Sequence, residues 1–114
     1  MIYQLPYPPT VNHYYSKTRY GRIYLSKKAQ EYRAAVSWQL VQEKMLTGRI
    51  KLHIDVFPPD HRKRDLDNIN KCLLDTLEHA KLIENDSMIY ELSMKKHEPV
   101  KLGKVIINIH EMKD

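Results

Sequence analysis

Ile50-Lys-Leu-His-Ile-Asp-Val-Phe57-Pro58-Pro59, followed by Asp60-His-Arg-Lys-Arg-Asp65-Leu-Asp67-Asn-Ile-Asn-Lys71-Cys72, passes from one periodicity to another. Ile50, Leu52, Ile54 and Val56 alternate with Lys51, His53, Asp55 and Phe57, the period of a strand with one face turned to a core. Pro58 and Pro59 halt it, because neither can donate to a ladder. Ile69, Cys72, Leu73, Thr76, Leu77 and Ala80 then recur at i, i+3, i+4 spacing, so a helix is expected from about Asp67 to Ala80. A strand, a charged loop and an amphipathic helix thus succeed one another without a break.

Downstream, the acidic loop Glu84-Asn85-Asp86 leads into Met88, Tyr90, Leu92 and Met94, which alternate as a strand. His97-Glu98-Pro99 and Gly103 turn the chain, and Lys104 to His110 supplies a last strand through Val105, Ile107 and Ile109. Upstream, Ser26 reads as a helix N-cap. The helix it opens is expected to run to about Leu46, with Ala29, Tyr32, Val36 and Leu40 on one face, Trp38 a further candidate for it, and an end near Thr47-Gly48. From Val11 to Leu25 the chain is polar and tyrosine-rich, which suits an irregular hairpin with Ile23–Leu25 as a weak strand. Ile2 to Leu5 forms a short strand stopped by Pro6. The order β, hairpin, α, β, α, β, β predicts an α+β fold: one domain over residues 1–114, with a mixed sheet of about four strands and two helices.

Composition narrows the function. A chain of 114 residues, 42% hydrophobic and 29% charged, is a folded domain rather than a disordered tail. Its net charge of +5 favours a polyanionic partner. The single cysteine, Cys72, leaves no internal disulfide and falls in the apolar stripe of the second helix. A buried free thiol in a reducing, cytoplasmic setting is expected. The N-terminal residues lack the basic and apolar regions of a secretory signal, and no apolar run approaches the roughly 20 residues of a membrane span. The six histidines show no metal-ligand spacing with Cys72, which argues against zinc. Three glycines provide no nucleotide-binding loop, and no serine or cysteine stands out as a nucleophile.

What remains is the charged loop. Three cations, Arg62, Lys63 and Arg64, run directly into Asp65 and Asp67, and Lys71 follows Asp67 by one helical turn on the same face. Carboxylates gather hard metal ions through oxygen, whereas lysine and arginine gather phosphates. Asp86 lies about 20 residues further on, where the return from helix to strand is expected to bring it back toward the helix start. Asp65, Asp67 and Asp86 would then share one or two Mg²⁺ ions, with Mn²⁺ an alternative. Lys71 would stabilise developing charge, and Arg62, Lys63 and Arg64 would clamp the flanking phosphates. The same residues also fit a helix cap, a solvated basic loop and an ordinary Lys71–Asp75 pair, although Asp-Leu-Asp-Asn carries more carboxylates than one cap requires. A calcium loop does not fit, since Ile69 and Asn70 occupy the places of a ligand and the turn glycine. The Tyr/Arg/Lys-rich segment from Asn12 to Arg22 offers Tyr14, Tyr15, Arg19 and Arg22 either to DNA or to packing.

Taken together, these stretches resemble the RusA family of Holliday-junction resolvases over nearly the whole length. The likeness begins at Leu5-Pro-Tyr-Pro-Pro-Thr-Val-Asn12-His-Tyr14-Tyr15 and continues through Ser26 to Tyr32-Arg33. It is most specific at Arg62-Lys-Arg64-Asp65-Leu-Asp67-Asn68-Ile-Asn-Lys71, Leu74-Asp75-Thr-Leu77 and Asp86. The resemblance implies a Mg²⁺-dependent endonuclease that cuts four-way DNA junctions as a homodimer. It implies Asp65, Asp67 and Asp86 as metal-binding catalytic carboxylates and Lys71 as a catalytic lysine. Arg62, Lys63, Arg64, Asn68, Asn12, Tyr14, Tyr15, Arg19 and Arg22 are the expected DNA contacts. The family often has two adjacent acids at the later loop; here Asn85 precedes Asp86, with Glu84 the nearest substitute. Two symmetric nicks on a two-fold-symmetric substrate suit a C2 dimer. A non-catalytic, structure-selective DNA-binding protein and a nuclease of flaps or other branched nucleic acids are the competing expectations.

Overall fold

The structure is a computed structural model that describes residues 1–113, apart from the side chain of Asn12. The elements are β1 (Ile2–Pro6), α1 (Val11–Tyr14), β2 (Tyr15–Lys17), β3 (Ile23–Leu25), α2 (Lys27–Gln39), β4 (Ile50–Phe57), α3 (Leu66–His79), a 3₁₀ turn (Asp86–Met88), β5 (Ile89–Lys96) and β6 (Lys104–Glu111). Four strands form a mixed sheet in the order β1-β6-β4-β5, and β2 and β3 form a small hairpin, so the fold is α+β as expected.

β4 is the interior strand that its alternation requires. Ile50, Leu52, Ile54 and Val56 are buried under α2 and α3, where Tyr32, Val36, Ile69, Leu73 and Leu77 complete the core with Val105, Ile107 and Ile109 of β6. The opposite face of the sheet bears His53, Asp55 and His97, with both imidazoles bonded to one Asp55 oxygen at 3.1 and 2.6 Å. Those bonds, His97 first, lower the pKa of Asp55.

α2 opens as expected, with the Ser26 hydroxyl accepting the Ala29 N–H at 3.1 Å. It ends at Gln39, earlier than the hydrophobic pattern suggested, and Leu46 instead reaches the core through a bond from its N–H to the Leu82 carbonyl (2.9 Å). Trp38 points outward and is 81% exposed, because α2 buries only the narrow stripe Ala29, Tyr32 and Val36.

The placement of the site depends on strand direction. β6 runs antiparallel to both β1 and β4, whereas β5 runs parallel to β4. A parallel pair needs a crossover, and α3 is that crossover. It therefore starts beside the C-terminal end of β4 and ends beside the N-terminal end of β5. The turn from β5 to β6 braces the loop ahead of α3: Val100 N–H bonds the Pro58 carbonyl at 2.9 Å, and Gly103, at φ +67, lies where a Cβ would come within 3.0 Å of the Pro59 nitrogen.

Candidate metal and nucleic-acid site

The N-terminal turn of α3 carries two carboxylates, Asp65 and Asp67. Asp65 is the N-cap residue by backbone conformation (φ −87, ψ 134), yet its side chain makes no capping bond, and Asp67 lies in the first turn. Both are exposed, and neither side chain forms a hydrogen bond or ion pair among the described residues. The capping alternative therefore does not account for them. Two neighbouring carboxylates with free lone pairs at a helix start repel one another, although the helix dipole offsets part of that cost. Lys71, one turn on, is exposed, with its Nζ 5.9 Å from the Tyr15 ring centre. Asn68 is half-buried and shares an open cleft with Thr10, Lys63, Arg64 and Asp65. That cleft continues through Thr10, Lys63 and Arg64 into a broader groove that also includes His13, Lys28 and Arg62.

The basic run divides by role. Arg62 and Lys63 are exposed. Arg64 instead turns inward, with its guanidinium gripping the Asp60 carboxylate through two nitrogens, Nη2 at 3.1 Å, and lying over the Tyr7 ring at 5.9 Å. The Arg64 bond, then the Arg62 backbone N–H, hold the Asp60 carboxyl at about 2. Lys96 Nζ donates to the Arg64 carbonyl at 2.6 Å and ties the end of β5 to the start of α3. Arg64 was expected as a phosphate clamp; the structure makes it the anchor of the loop that presents Lys63 and Asp65.

A second cluster, which sequence reasoning missed, lies two turns along α3. Arg33 of α2 donates to Asp75 (2.8 Å) and, through Nε, to the Tyr14 hydroxyl (2.7 Å). The Tyr15 hydroxyl also donates to Asp75, at 3.3 Å. Thr76 donates its hydroxyl proton to the Cys72 carbonyl (2.8 Å), which leaves its oxygen to accept from Tyr14 at 3.3 Å. Four elements, α1, β2, α2 and α3, are locked together at one point, and Asp75 pairs with Arg33 rather than with Lys71. The Arg33 of Tyr32-Arg33 and the Asp75 of Leu74-Asp75-Thr-Leu77 were the signal, but nothing local to either stretch says that they meet.

Tyr14 is wholly buried against Ala29 and Cys72, so it is a packing residue and not the DNA contact it was expected to be. Tyr15 is half-buried edge-on to Tyr14. Arg19 and Arg22 are exposed at the β2–β3 hairpin, Arg19 bonding the Tyr20 hydroxyl at 3.0 Å. The side chain of Asn12 lies outside the described residues. Burial, with Asp75 adding and Lys71 opposing, pushes the Cys72 thiol up to about 11, which leaves it protonated at neutral pH and unsuited to nucleophilic attack.

Asp86 departs most from expectation. It is exposed in the 3₁₀ turn that precedes β5, whereas Asp65 and Asp67 lie beside the other end of that strand. Because β5 is parallel to β4, the return from α3 delivers Asp86 to the C-terminal end of the helix, roughly 20 Å from Asp65 at 1.5 Å per residue. Among the described residues no group of three or more His, Cys, Asp or Glu is placed to hold a metal ion. One chain therefore assembles two of the three expected carboxylates. Two remain chemically suited to Mg²⁺, which is commonly held by one or two carboxylates, with water and substrate phosphate completing its octahedron.

A family model described as Endodeoxyribonuclease RusA matches residues 6–110. The crossover junction endodeoxyribonuclease rusA of Enterobacteria phage HK97 is 37% identical over 111 residues, 95% of this chain and 92% of that protein. The proteins of the same name from Escherichia coli (strain K12) and Enterobacteria phage 82 are each 34% identical over 112 residues, with the same coverage. With the model and these relatives spanning nearly all of it, the chain belongs to the RusA family of endodeoxyribonucleases.

Proposed function

We propose that this protein is a divalent-metal-dependent endonuclease that resolves four-way DNA junctions by paired symmetric nicks, acting as a homodimer of single-domain subunits in the cytoplasm. The observation that carries the reading is the pair of exposed carboxylates at the start of α3, Asp65 and Asp67, both unbonded among the described residues, with Asp65 lining a cleft that also holds Lys63 and Arg64. Asp65 and Asp67 hold Mg²⁺, or Mn²⁺ in its place. The ion, when bound, lowers the pKa of a water and offsets charge on the phosphodiester under attack.

The chain's own residues supply the rest. Lys71 sets a point charge one turn from Asp67, against the phosphate that is cut. Lys63 and Arg62 contact flanking phosphates, with Arg64 fixing the loop that carries them. Asn68 orients the backbone in the cleft beside Asp65. Arg19 and Arg22 extend the cationic surface along the hairpin. Phosphate contacts of this kind fix register rather than read sequence, as suits an enzyme selecting for DNA shape. No helix among the described residues is long and apolar enough to cross a membrane.

A synthetic four-way junction with labelled arms, incubated with and without Mg²⁺ beside flap and linear duplex controls, tests the reading. Paired nicks near the branch point that require the metal and are absent from linear duplex are expected. Binding without nicks at any metal concentration would identify a non-catalytic DNA-binding protein, and preferential flap cleavage would reassign the substrate.

A further inference from the structure

The cleft beside Asp65 opens, through Thr10, Lys63 and Arg64, into a groove of about 600 Å³ that the metal chemistry leaves unused. That volume is in the range that encloses a small organic molecule, so the groove admits a single nucleotide and not a duplex arm. Its lining differs from that of the cleft. Tyr7, Pro8, Pro9 and Pro59 make much of the wall apolar. Glu31 of α2 adds an exposed carboxylate that forms no hydrogen bond or ion pair among the described residues. Three exposed cations, Lys28, Arg62 and Lys63, flank it.

The walls are fixed before any ligand arrives. Pro8 and Pro9 lock φ in the segment that leaves β1, and Tyr32 ties the start of that segment by donating its hydroxyl to the Pro6 carbonyl at 2.8 Å. The Arg64 guanidinium, held by Asp60, lies over the Tyr7 ring at 5.9 Å. Pro59 is backed by Gly103, where an added Cβ would approach its ring within 3.0 Å. Little ordering is left for binding to supply.

A phosphate is a poor occupant of this groove, because Glu31 repels it and the apolar wall offers it no donors. A nucleobase suits each part. Its flat face lies against Tyr7 and the prolines, an exocyclic amine donates to Glu31, and the neighbouring phosphates meet Lys28, Arg62 and Lys63. We infer that the groove receives one unpaired nucleobase of the strand being cut, a nucleotide or two from the phosphate at Asp65 and Asp67. This rests on reading Asp65 and Asp67 as the place of cutting. Taking a base out of an intact duplex costs its pairing and stacking, and the cost is least where pairing is already disturbed, as at a branch point. The groove thereby favours branched over linear DNA at a position distinct from the phosphate contacts.

Synthetic four-way junctions with one abasic residue, moved position by position through the branch point, read the site. Affinities are measured in metal-free buffer, so that binding is separated from cutting. The wild type should bind the intact junction about tenfold more tightly than the junction abasic at one position near the branch, and about equally at the others. The same series in linear duplex should show no responsive position. Tyr7→Leu removes the ring and Glu31→Ala the carboxylate, and in each the ratio at the responsive position should fall toward one. The ratio is the readout because losing the Glu31 charge strengthens binding of both DNAs alike. Circular dichroism checks that Tyr7→Leu is folded; Glu31, exposed and unbonded on α2 among the described residues, provides the second variant.

A lowered ratio in either folded variant supports the base site. A wild-type ratio near one at every position, or a ratio preserved in both folded variants, overturns it. Metal-dependent nicking of junctions without a responsive position defeats the base site and leaves the function proposed above standing. A responsive position in junctions that are never nicked with Mg²⁺ defeats that function and leaves the base site standing.

Discussion

Asp67 and Asp75 occupy the same helix two turns apart, and their surroundings are opposite. Asp75 accepts from Arg33 and Tyr15, and the side chains of that pair are 19% and 32% exposed for Arg33 and Asp75. Asp67 is exposed and unbonded among the described residues, as is Asp65 before it. A folded chain ordinarily pairs the charges it half-buries, since an unpaired one costs far more than the pair returns. Where carboxylates gather and stay unpaired, something outside the chain is expected to satisfy them. The same contrast separates Arg64, tied to Asp60, from the exposed Lys63 beside it, which has no ion pair among the described residues.

Neutralising each aspartate in turn separates the two roles. Asp67→Asn should slow metal-dependent nicking at least about a hundredfold while junction affinity holds or rises, because a ligand and a negative charge are both lost. Its melting temperature should be unchanged, since no contact is removed. Asp75→Asn should do the reverse, lowering stability by about 1–2 kcal/mol through the weakened Arg33 and Tyr15 bonds. An early-melting Asp67→Asn, read by circular dichroism, would erase the distinction.

Tyr14→Phe probes the second cluster. Losing the hydroxyl that accepts from Arg33 and donates to Thr76 should cost about 1 kcal/mol in a denaturant titration, with no change in DNA affinity. A drop in affinity without loss of stability would return Tyr14 to the DNA surface.

Lys63→Ala and Arg64→Ala test the division of the basic loop. The former should lower the salt slope of junction binding by about 1 and leave stability alone. The latter should loosen the loop, seen as faster amide exchange at residues 60–65.

The smallest effect is acid release of that loop. Because Asp60 titrates at about 2, below an ordinary carboxylate, its contact with Arg64 is fully present above the ordinary range and fades as pH falls toward 2. Chemical shifts of the Arg64 guanidinium should be flat from pH 8 to 4 and move only below that.

How much of this was legible in advance depends on whether the deciding interaction is local. The alternation of β4, the stripe of α3 and the Ser26 cap were readable because neighbours in sequence set them. The end of α2 was not. Trp38 and Leu46 are both apolar, and only the sheet beneath decides that one is 81% exposed and the other buried. Tyr14, set among cations in sequence, left DNA contact and packing both open, whereas in space it is enclosed by α2 and α3.

The acids show the division most clearly. The sequence by itself determined that Asp65 and Asp67 share the start of an amphipathic helix with Lys71 one turn on, since helical periodicity is a property of residues three and four apart. It could not determine which end of that helix Asp86 would reach. That was decided by β5 pairing parallel to β4, with α3 as the crossover between them. Direction in a sheet is a long-range property, and it alone puts Asp86 about a helix length away from the carboxylates it was expected to join.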